Sequence, residues 1–530
     1  MPLPSDPRQA WPPRDLAPVF AKIDEWGAWY AGQPDQLADL YSHSRRPSNR
    51  PAQYRSGFLG KAARWWWGEP IPEGERRAKL HVPLAADIAQ TSARLLFSEP
   101  PTLVAADAKT QARLDELVDD GAHATLLAAA EVGAAKSGTY LRIVWDRSLR
   151  PRPWISRVDP ATAVPEFRWG MLTAVTFWRE LERSNQTVIR YLERHETGVI
   201  WHGVYRGTPD QLGDPVDVGG WRDTAWLKTM EGVQWQGRAA AVATVPGRLT
   251  AAYVPNATPT RIWADIPAAV DLGRSDYDGV EGLLDALDET WSSLMRDLRI
   301  GVARVYVPES YLTSLGPGKG AVWEAAREIL VGLQTMGDDE RGLNLETFQP
   351  DIRVDQHLRI AEQLTRTIVE TAGYSAQSFG MDDGAAVTAT EVSARQRESF
   401  IGRDAKIMHF RPELAMLLET LLMVDVRAFG TAVTPEVPQV SFGDTVSEDP
   451  EAQARTLQLL AAAEAISTWM KVKTLHPDWE DGEIQEEVDR IQGDAPPVVD
   501  VGTSLGALAG NDPAAGDGGD QGTEEPPAQE

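Results

Sequence analysis

The chain contains no cysteine, so disulfides and thiolate chemistry are excluded. A cysteine-free chain fits a reducing cytoplasm without proving one. No apolar run approaches the ~18 residues of a membrane span. The opening Met1-Pro-Leu-Pro-Ser-Asp-Pro7 has no apolar core and does not read as a signal peptide. Basic residues are in deficit: 52 Lys and Arg against 78 Asp and Glu give a formal net charge of −26. Tight gripping of nucleic acid needs clustered cations, so the charge argues against that mode but does not exclude a surface that nucleic acid slides past.

Catalytic signatures are also missing. The eight histidines show no HxxxH or HExxH spacing. Gly316-Pro-Gly-Lys-Gly320 lacks the spacer and the Ser/Thr of a phosphate loop and reads as a turn. Ser375 in Gly-Tyr-Ser-Ala-Gln has no closing glycine, so it is no nucleophile elbow. Acidic pairs such as Asp382-Asp383 are common in so acidic a chain and single out no general acid or base. No metal, cofactor or enzymatic role is expected.

What is present is a succession of helices and short strands in 530 residues, ample for several domains. A helical patch is expected from Leu16 to Tyr41. Arg64-Trp-Trp-Trp67 reads as a buried anchor for the N-terminal arm or as a stacking platform. An amphipathic helix is expected within His81 to Phe97, stopped by Pro100 and Pro101, and another from Thr110 to Ser137. Strands are expected at 139–145, 153–158, 173–179, 187–193 and 198–205, forming one antiparallel meander. Residues 206–245 look like an insertion or a ragged extension.

The clearest helix covers 277–300. Val280, Leu283, Leu284, Leu287, Trp291, Leu294, Met295 and Leu298 form one apolar stripe, with Asp285, Asp288, Glu289, Asp297 and Arg299 between. A second short amphipathic helix, 355–372, carries Leu364 and Ile368 and is an expected packing partner, with neighbouring copies as others. Between them lies an αβ module, 301–354, with strands at 304–307 and 343–348 and a helix from Ala321 to Gln334. A turn-rich acidic loop, 373–384, follows the second helix. Thr388 and Glu391 have capping-box spacing at the start of a helix running to Phe429. Pro412 within it removes a backbone hydrogen bond and should kink it. Further helices are expected at 451–472 and 481–491 around the turn Leu475-His-Pro-Asp-Trp479. Residues 494–530, rich in Gly, Pro and acid, read as disordered.

These segments, taken in order, resemble the portal proteins of tailed bacteriophages, particularly long-tailed phages of high-GC Gram-positive hosts. The resemblance rests on His81-Val-Pro-Leu84 through Leu95-Leu-Phe-Ser-Glu-Pro-Pro101, Val158-Asp-Pro160 with Val164-Pro-Glu-Phe167, and Asp276-Tyr-Asp-Gly-Val280 through Arg296-Asp-Leu298. It continues in Ala372-Gly-Tyr-Ser-Ala-Gln-Ser-Phe-Gly380, Thr388-Ala-Thr-Glu-Val392 and Leu475-His-Pro-Asp-Trp479. It spans about residues 60–490, and each motif alone is weak.

The resemblance implies an α+β, mainly helical, portal-type fold with wing, stem, clip and crown, assembling as a ring of about twelve copies. The wing would be 1–274 and 373–445, the stem helices 275–300 and 355–372, the clip 301–354, the crown 446–493 and the acidic tail 494–530. Stem packing would rest on Leu283, Leu287, Trp291, Leu294, Leu298, Leu364 and Ile368. The tunnel loop, at about 380–387, would present Phe379, Gly380, Met381, Asp382, Asp383 and Gly384 to double-stranded DNA. Implied partners are the terminase large subunit, a head–tail adaptor, and the major capsid and scaffolding proteins, at a capsid vertex of the virion assembled in the host cytoplasm.

Twelve helices packed 8–10 Å apart make a ring of roughly 34 Å, leaving a bore of ~24 Å once ~10 Å of helix width is removed. An acidic wall in such a bore would repel phosphate within ~8 Å and lower friction. The opposite arrangement, with Arg296, Arg299 or Lys319 braking the DNA, stays open at this stage. So do two other readings: another capsid or neck component, and a Trp-rich glycan-acting enzyme using two carboxylates.

Overall fold

The computed structural model describes residues 3–43, 79–230, 232–300, 353–381, 389–443, 450–463, 465–476, 479 and 481–493, with the strand residues 304–306, 313–314, 321–322 and 346–348. The chain divides into two compact units, Met1–Thr445 and Val446–Glu530.

The N-terminal patch is two helices rather than one. Helix α1 (Ala17–Ala31) ends where Gly32 turns left-handed at φ 63°, and α2 (Pro34–His43) restarts behind a proline. Helix α3 (Leu84–Phe97) follows the expected stripe, burying Leu84, Ile88, Leu96 and Phe97. The helix expected at 110–137 is likewise divided. Asp107 caps α4 (Ala108–Leu117) by accepting a 3.0 Å bond from the Thr110 amide. Gly121, at φ 95°, breaks the regular ladder before α5 (His123–Lys136). Periodicity alone passed over both glycines because each lies between apolar residues that stay in phase.

The expected single meander is two sheets. Strands β2 (Gly138–Val144) and β3 (Trp154–Val158) pair with each other, and β2 takes β11 (Ala251–Pro255) on its other edge. A 3-10 turn over Pro160–Thr162, held by Asp159 accepting from the Ala161 amide, then redirects the chain. The second sheet runs β4 (Ala163–Arg168), β5 (Met171–Arg183), β6 (Val188–Glu196), β7 (Val199–Gly207), β10 (Ala239–Ala243) and β9 (Val233–Gln236), with β8 (Asp214–Val216) also on β7. Of the two readings of 206–245, the extension holds: β8, β9 and β10 continue the sheet, with 3-10 turns between them. A further pair joins β1 (Thr102–Val104) to β16 (Gln439–Ser441).

Helix α6 (Glu281–Ile300) and helix α7 (Val354–Thr371) match the two amphipathic helices. In the intervening module, β12 (Arg304–Tyr306) pairs with β15 (Glu346–Phe348), near the expected strands. The helix expected to begin at Ala321 does not begin there. Ala321–Val322 is strand β14, paired with β13 (Thr313–Ser314). Val322 is β-branched and suits a strand, and a local hairpin register takes Ala321 and Val322 in place of a helix start. Residues 323–345 lie outside the described residues. Helix α8 (Ala389–Phe429) spans 41 residues and runs through Pro412 as one element.

Two large cores, with two smaller clusters on the second sheet, hold the first unit. One gathers Trp26, Trp29, Ile88, Tyr140, Tyr253, Leu287 and Ile368 from α1, α3, β2, β11, α6 and α7. The other gathers Phe97, Leu114, Leu141, Ile155, Phe410 and Leu417 around α8. In the second unit α9 (Pro450–Ala462) and α10 (Thr468–Leu475) replace the single helix expected at 451–472, because Ser467 caps a new helix start, while α11 (Asp481–Gly493) matches the helix expected at 481–491. Val472, Ile484 and Val488 form its small core.

Candidate functional site

The amphipathic pair α6–α7 is packed as its stripes require. Leu287 and Ile368 are fully buried, and Leu283, Trp291 and Leu364 pack half-buried against the same core. Leu294 is buried too. Leu298 is not a packing residue within one chain: it is 40% exposed, as are Met295, Leu358 and Ile360 to similar degrees. The pair is pinned at its distal end by Asp297, which accepts from Arg353 and bonds to His357, both at 3.1 Å. The His357 bond, then the Arg353 bond, hold the Asp297 carboxyl below its usual range.

The charged side of α6 is only partly solvated: Glu289, Arg296 and Arg299 are exposed, but other carboxylates are engaged inward. Asp288 is 1% exposed. It accepts from Tyr41 at 2.6 Å and from the Val82 amide at 2.8 Å, and bonds to His81 at 2.9 Å. Glu281 accepts from Trp26 and pairs with Lys22 at 2.7 Å, and Asp285 pairs with Lys79 at 2.6 Å. Helix α6 is thus clamped between α7 and the N-terminal helices. Carboxylates that read as solvent-facing are the docking points, because the aromatic and basic partners come from more than 200 residues upstream.

Helix α7 ends in a glycine clasp. Gly373, at φ 89°, donates to Glu370, and Tyr374 donates to Val369, both at 3.1 Å. These two bonds satisfy carbonyls that a helix end leaves open, and only glycine adopts the left-handed bend without strain. The same device closes the next turn, Ala376–Phe379: Gly380 donates to Gln377 and Met381 to Ala376. Three serines fasten the turn to α8. Ser399 Oγ accepts from the Ser375 amide at 2.9 Å and meets Ser378 Oγ at 3.0 Å.

Of the residues expected to line a channel, Phe379, Gly380 and Met381 are among the described residues. Phe379 and Met381 pack half-buried against the main core, with Phe379 edge-on to Tyr374 at 6.2 Å. Only Gly380 of these three is exposed. Asp382, Asp383, Gly384 and Thr388 lie outside the described residues, as do Lys319 and the Trp65–Trp67 cluster; of Glu391 only the helical backbone is described. The capping box therefore has no structural account.

Beneath the clasp lies a buried ion pair that sequence reasoning missed. Lys406, on α8, donates to Asp276 at 2.7 Å, to Ser92 on α3 at 2.6 Å and to the Tyr374 hydroxyl at 2.9 Å. Tyr374 itself donates to Asp276 at 2.7 Å, and Asn256 donates to the other oxygen at 2.7 Å. Burial lowers the Lys406 pKa against the opposing pull of Asp276. The one hint in the sequence was a lysine amid apolar residues on the inward face of a long helix.

A second polar cluster joins the two sheets. Glu193 pairs with Arg142 at 2.6 Å and with His195 at 2.8 Å, while Tyr191 bonds to His202 at 2.7 Å. Burial would raise the Glu193 carboxyl, but the Arg142 charge and the His195 bond hold it well below the usual range. Burial pushes His202 down to about 4 and lowers His195 as well. Both His195 nitrogens are taken, the second by Thr250 at 2.7 Å. That leaves no free His195 ring nitrogen for a metal. Tyr191, Glu193 and His195 sit at alternate strand positions and so share one sheet face, a signal visible in the sequence. Among the described residues no group of three or more His, Asp or Glu is placed to hold a metal ion, and no helix is long and apolar enough to cross a membrane.

No family model matches the chain, and no curated protein matches it. Among solved structures, a chain described as "Neck of native GTA particle computed with C12 symmetry" aligns with 14% identity and a TM-score of 0.35. The alignment covers 74% of this chain and 89% of that one, at a similarity too low to carry a fold or a role across.

Proposed function

We propose that the chain is the subunit of a portal-type ring: a structural conduit for double-stranded DNA at a capsid vertex, with no catalytic role of its own. In this reading the terminase large subunit and then a head–tail adaptor dock on the ring, and ATP hydrolysis belongs to the terminase. One observation carries the proposal. Helices α6 and α7 pack side by side, bracket an inserted module, and lead through a glycine-locked turn into a 41-residue helix. The pair keeps Met295, Leu298, Leu358 and Ile360 on its uncovered surface. A single chain gains nothing from those side chains, whereas neighbouring copies in a ring would bury them, at about 25 cal/mol per Å².

The firm base of the turn supports the same reading. Ion pair, serines and clasp fix residues 373–381 to the body, so the segment that follows them starts from a rigid support. The test is the mass and shape of the purified full chain. Twelve chains of 58.2 kDa make a closed ring of about 0.7 MDa, and images should show a central opening of ~24 Å. A chain that stays monomeric or dimeric across concentrations, and also with a co-expressed scaffolding protein, overturns the proposal.

A further inference from the structure

The two-residue turn between β4 and β5 carries a tryptophan where the backbone calls for a small or amide side chain. Arg168 pairs with Met171, so Trp169 and Gly170 form the whole turn. Their φ values are 51° and 79°. Such turns favour Asn, Asp or Gly because both central residues are left-handed, and a bulky residue there is strained. Trp169 is nevertheless 94% exposed, and the adjacent Met171 is 61% exposed. Among the described residues no contact offsets either the strain or the apolar exposure. Backbone outliers of this kind persist where function requires them.

The same chain has an apolar hollow that suits this side chain. A cavity of about 300 Å³ lies between the two sheets, lined by Trp145, Trp154, Trp226 and Met230, with Glu193 and His202 at its polar side. Leu149, 72% exposed, is on its rim. A second hollow of about 380 Å³ continues from it, sharing Trp145 and Met230. Apolar walls with a few polar groups form the usual setting for an anchoring aromatic, and Trp is the commonest such anchor. The Glu193 carboxylate can accept the indole N–H.

Trp169 cannot reach this cavity in its own chain. The row Phe177–Glu193–His202 crosses β5, β6 and β7 beside the cavity. The turn at Gly170 is roughly 20 Å further along β5, at about 3.3 Å per residue, and the strand between is paired on both sides. We propose that Trp169 of one copy inserts into the Trp145–Trp154–Trp226 cavity of a second copy. A knob and a hole at different places on one chain make a head-to-tail contact, which repeats until it closes into a ring or extends as a filament. The proposal thereby deepens the ring reading and names the contact between its copies.

The absence of cysteine permits a clean test. Met171→Cys retains the tryptophan and puts a thiol beside the knob; Leu149→Cys puts one on the cavity rim. Both sites are exposed, so folding is undisturbed. A disulfide forms only where Cα atoms come within about 7 Å. Mixing the two full-length single variants and oxidising should give a species of twice the chain mass. Adding Trp169→Ser to the Met171→Cys chain should lower its yield at least tenfold. Equal yields with and without Trp169, or linkage of Met171→Cys chains to each other alone, overturn the knob-in-cavity contact. Closed rings without linkage overturn the contact and leave the ring reading standing. Linkage in open chains that never close supports the contact and overturns the ring. Monomers without linkage overturn both.

Discussion

Removing the Lys406 charge tests how firmly the base of the 373–381 turn is held. Lys406→Met keeps the length and apolar stem of the side chain but leaves the Asp276 carboxylate buried. Breaking one side of a buried pair costs about 3–5 kcal/mol when the remaining charge has no other support. Here Asp276 keeps two donors, Asn256 and Tyr374, each at 2.7 Å. A hydrogen bond to a charged group is worth ~1.5–3 kcal/mol, so the loss should fall at the lower end, ~3 kcal/mol. Asp276→Asn instead leaves a buried ammonium with only Ser92 and Tyr374 to receive it, and should cost toward ~5 kcal/mol. The double variant removes both charges and should be more stable than Asp276→Asn alone. For a unit of 445 residues the unfolding entropy is about 0.9 kcal/mol/K, so the single variants should melt ~3–5 °C lower. Calorimetry measures this, and hydrogen exchange locates it: the amides of Gly373, Tyr374, Gly380 and Met381 should lose protection first. Additivity of the two single effects within ~0.5 kcal/mol would refute the coupling, and a melting change below ~1 °C for Lys406→Met would refute the anchoring role.

Acid should weaken the first unit before it affects the carboxylates. The folded state holds His202 near 4 and His195 below 6.5, so between these values the unfolded chain binds more protons and stability falls as pH falls. Melting at pH 5 should be lower than at pH 7.5 by the equivalent of about 2 kcal/mol from His202, a difference that His202→Gln abolishes. Glu193 acts in the same direction at lower pH, since its depressed pKa gives stability that is lost on protonation. Leu287→Ala, at a fully buried site, should cost ~2–5 kcal/mol in the isolated chain. Leu298→Ala should cost under ~0.5 kcal/mol there, yet lower the stability of the assembled ring, as read by dissociation on dilution. If Leu298→Ala leaves dissociation unchanged, that face is not between copies. Replacing Asp382 and Asp383 with Asn tests the low-friction lining, which is wrong if DNA packaging and retention are unchanged in assembled particles.

The sequence determined what depends on near neighbours. The 3.6-residue stripes placed α3, α6 and α7, and the alternation placed β5, β6 and β7, because those periods record which side of an element is buried. The left-handed glycines at 32 and 121 were present in the sequence as well, but an apolar pattern in phase on both sides concealed them. Only the tertiary structure decided which charges are buried. Asp288 and Lys406 became core residues when partners arrived from 247 and 314 positions away. It also divided one apparent meander into two sheets, since β2 chose β11, roughly a hundred residues later, as its second neighbour. Finally it set Trp169 in the open and left a hollow elsewhere. Local pattern fixes each element's period; pairing over long separations fixes which surfaces remain uncovered, and those surfaces carry the proposed assembly.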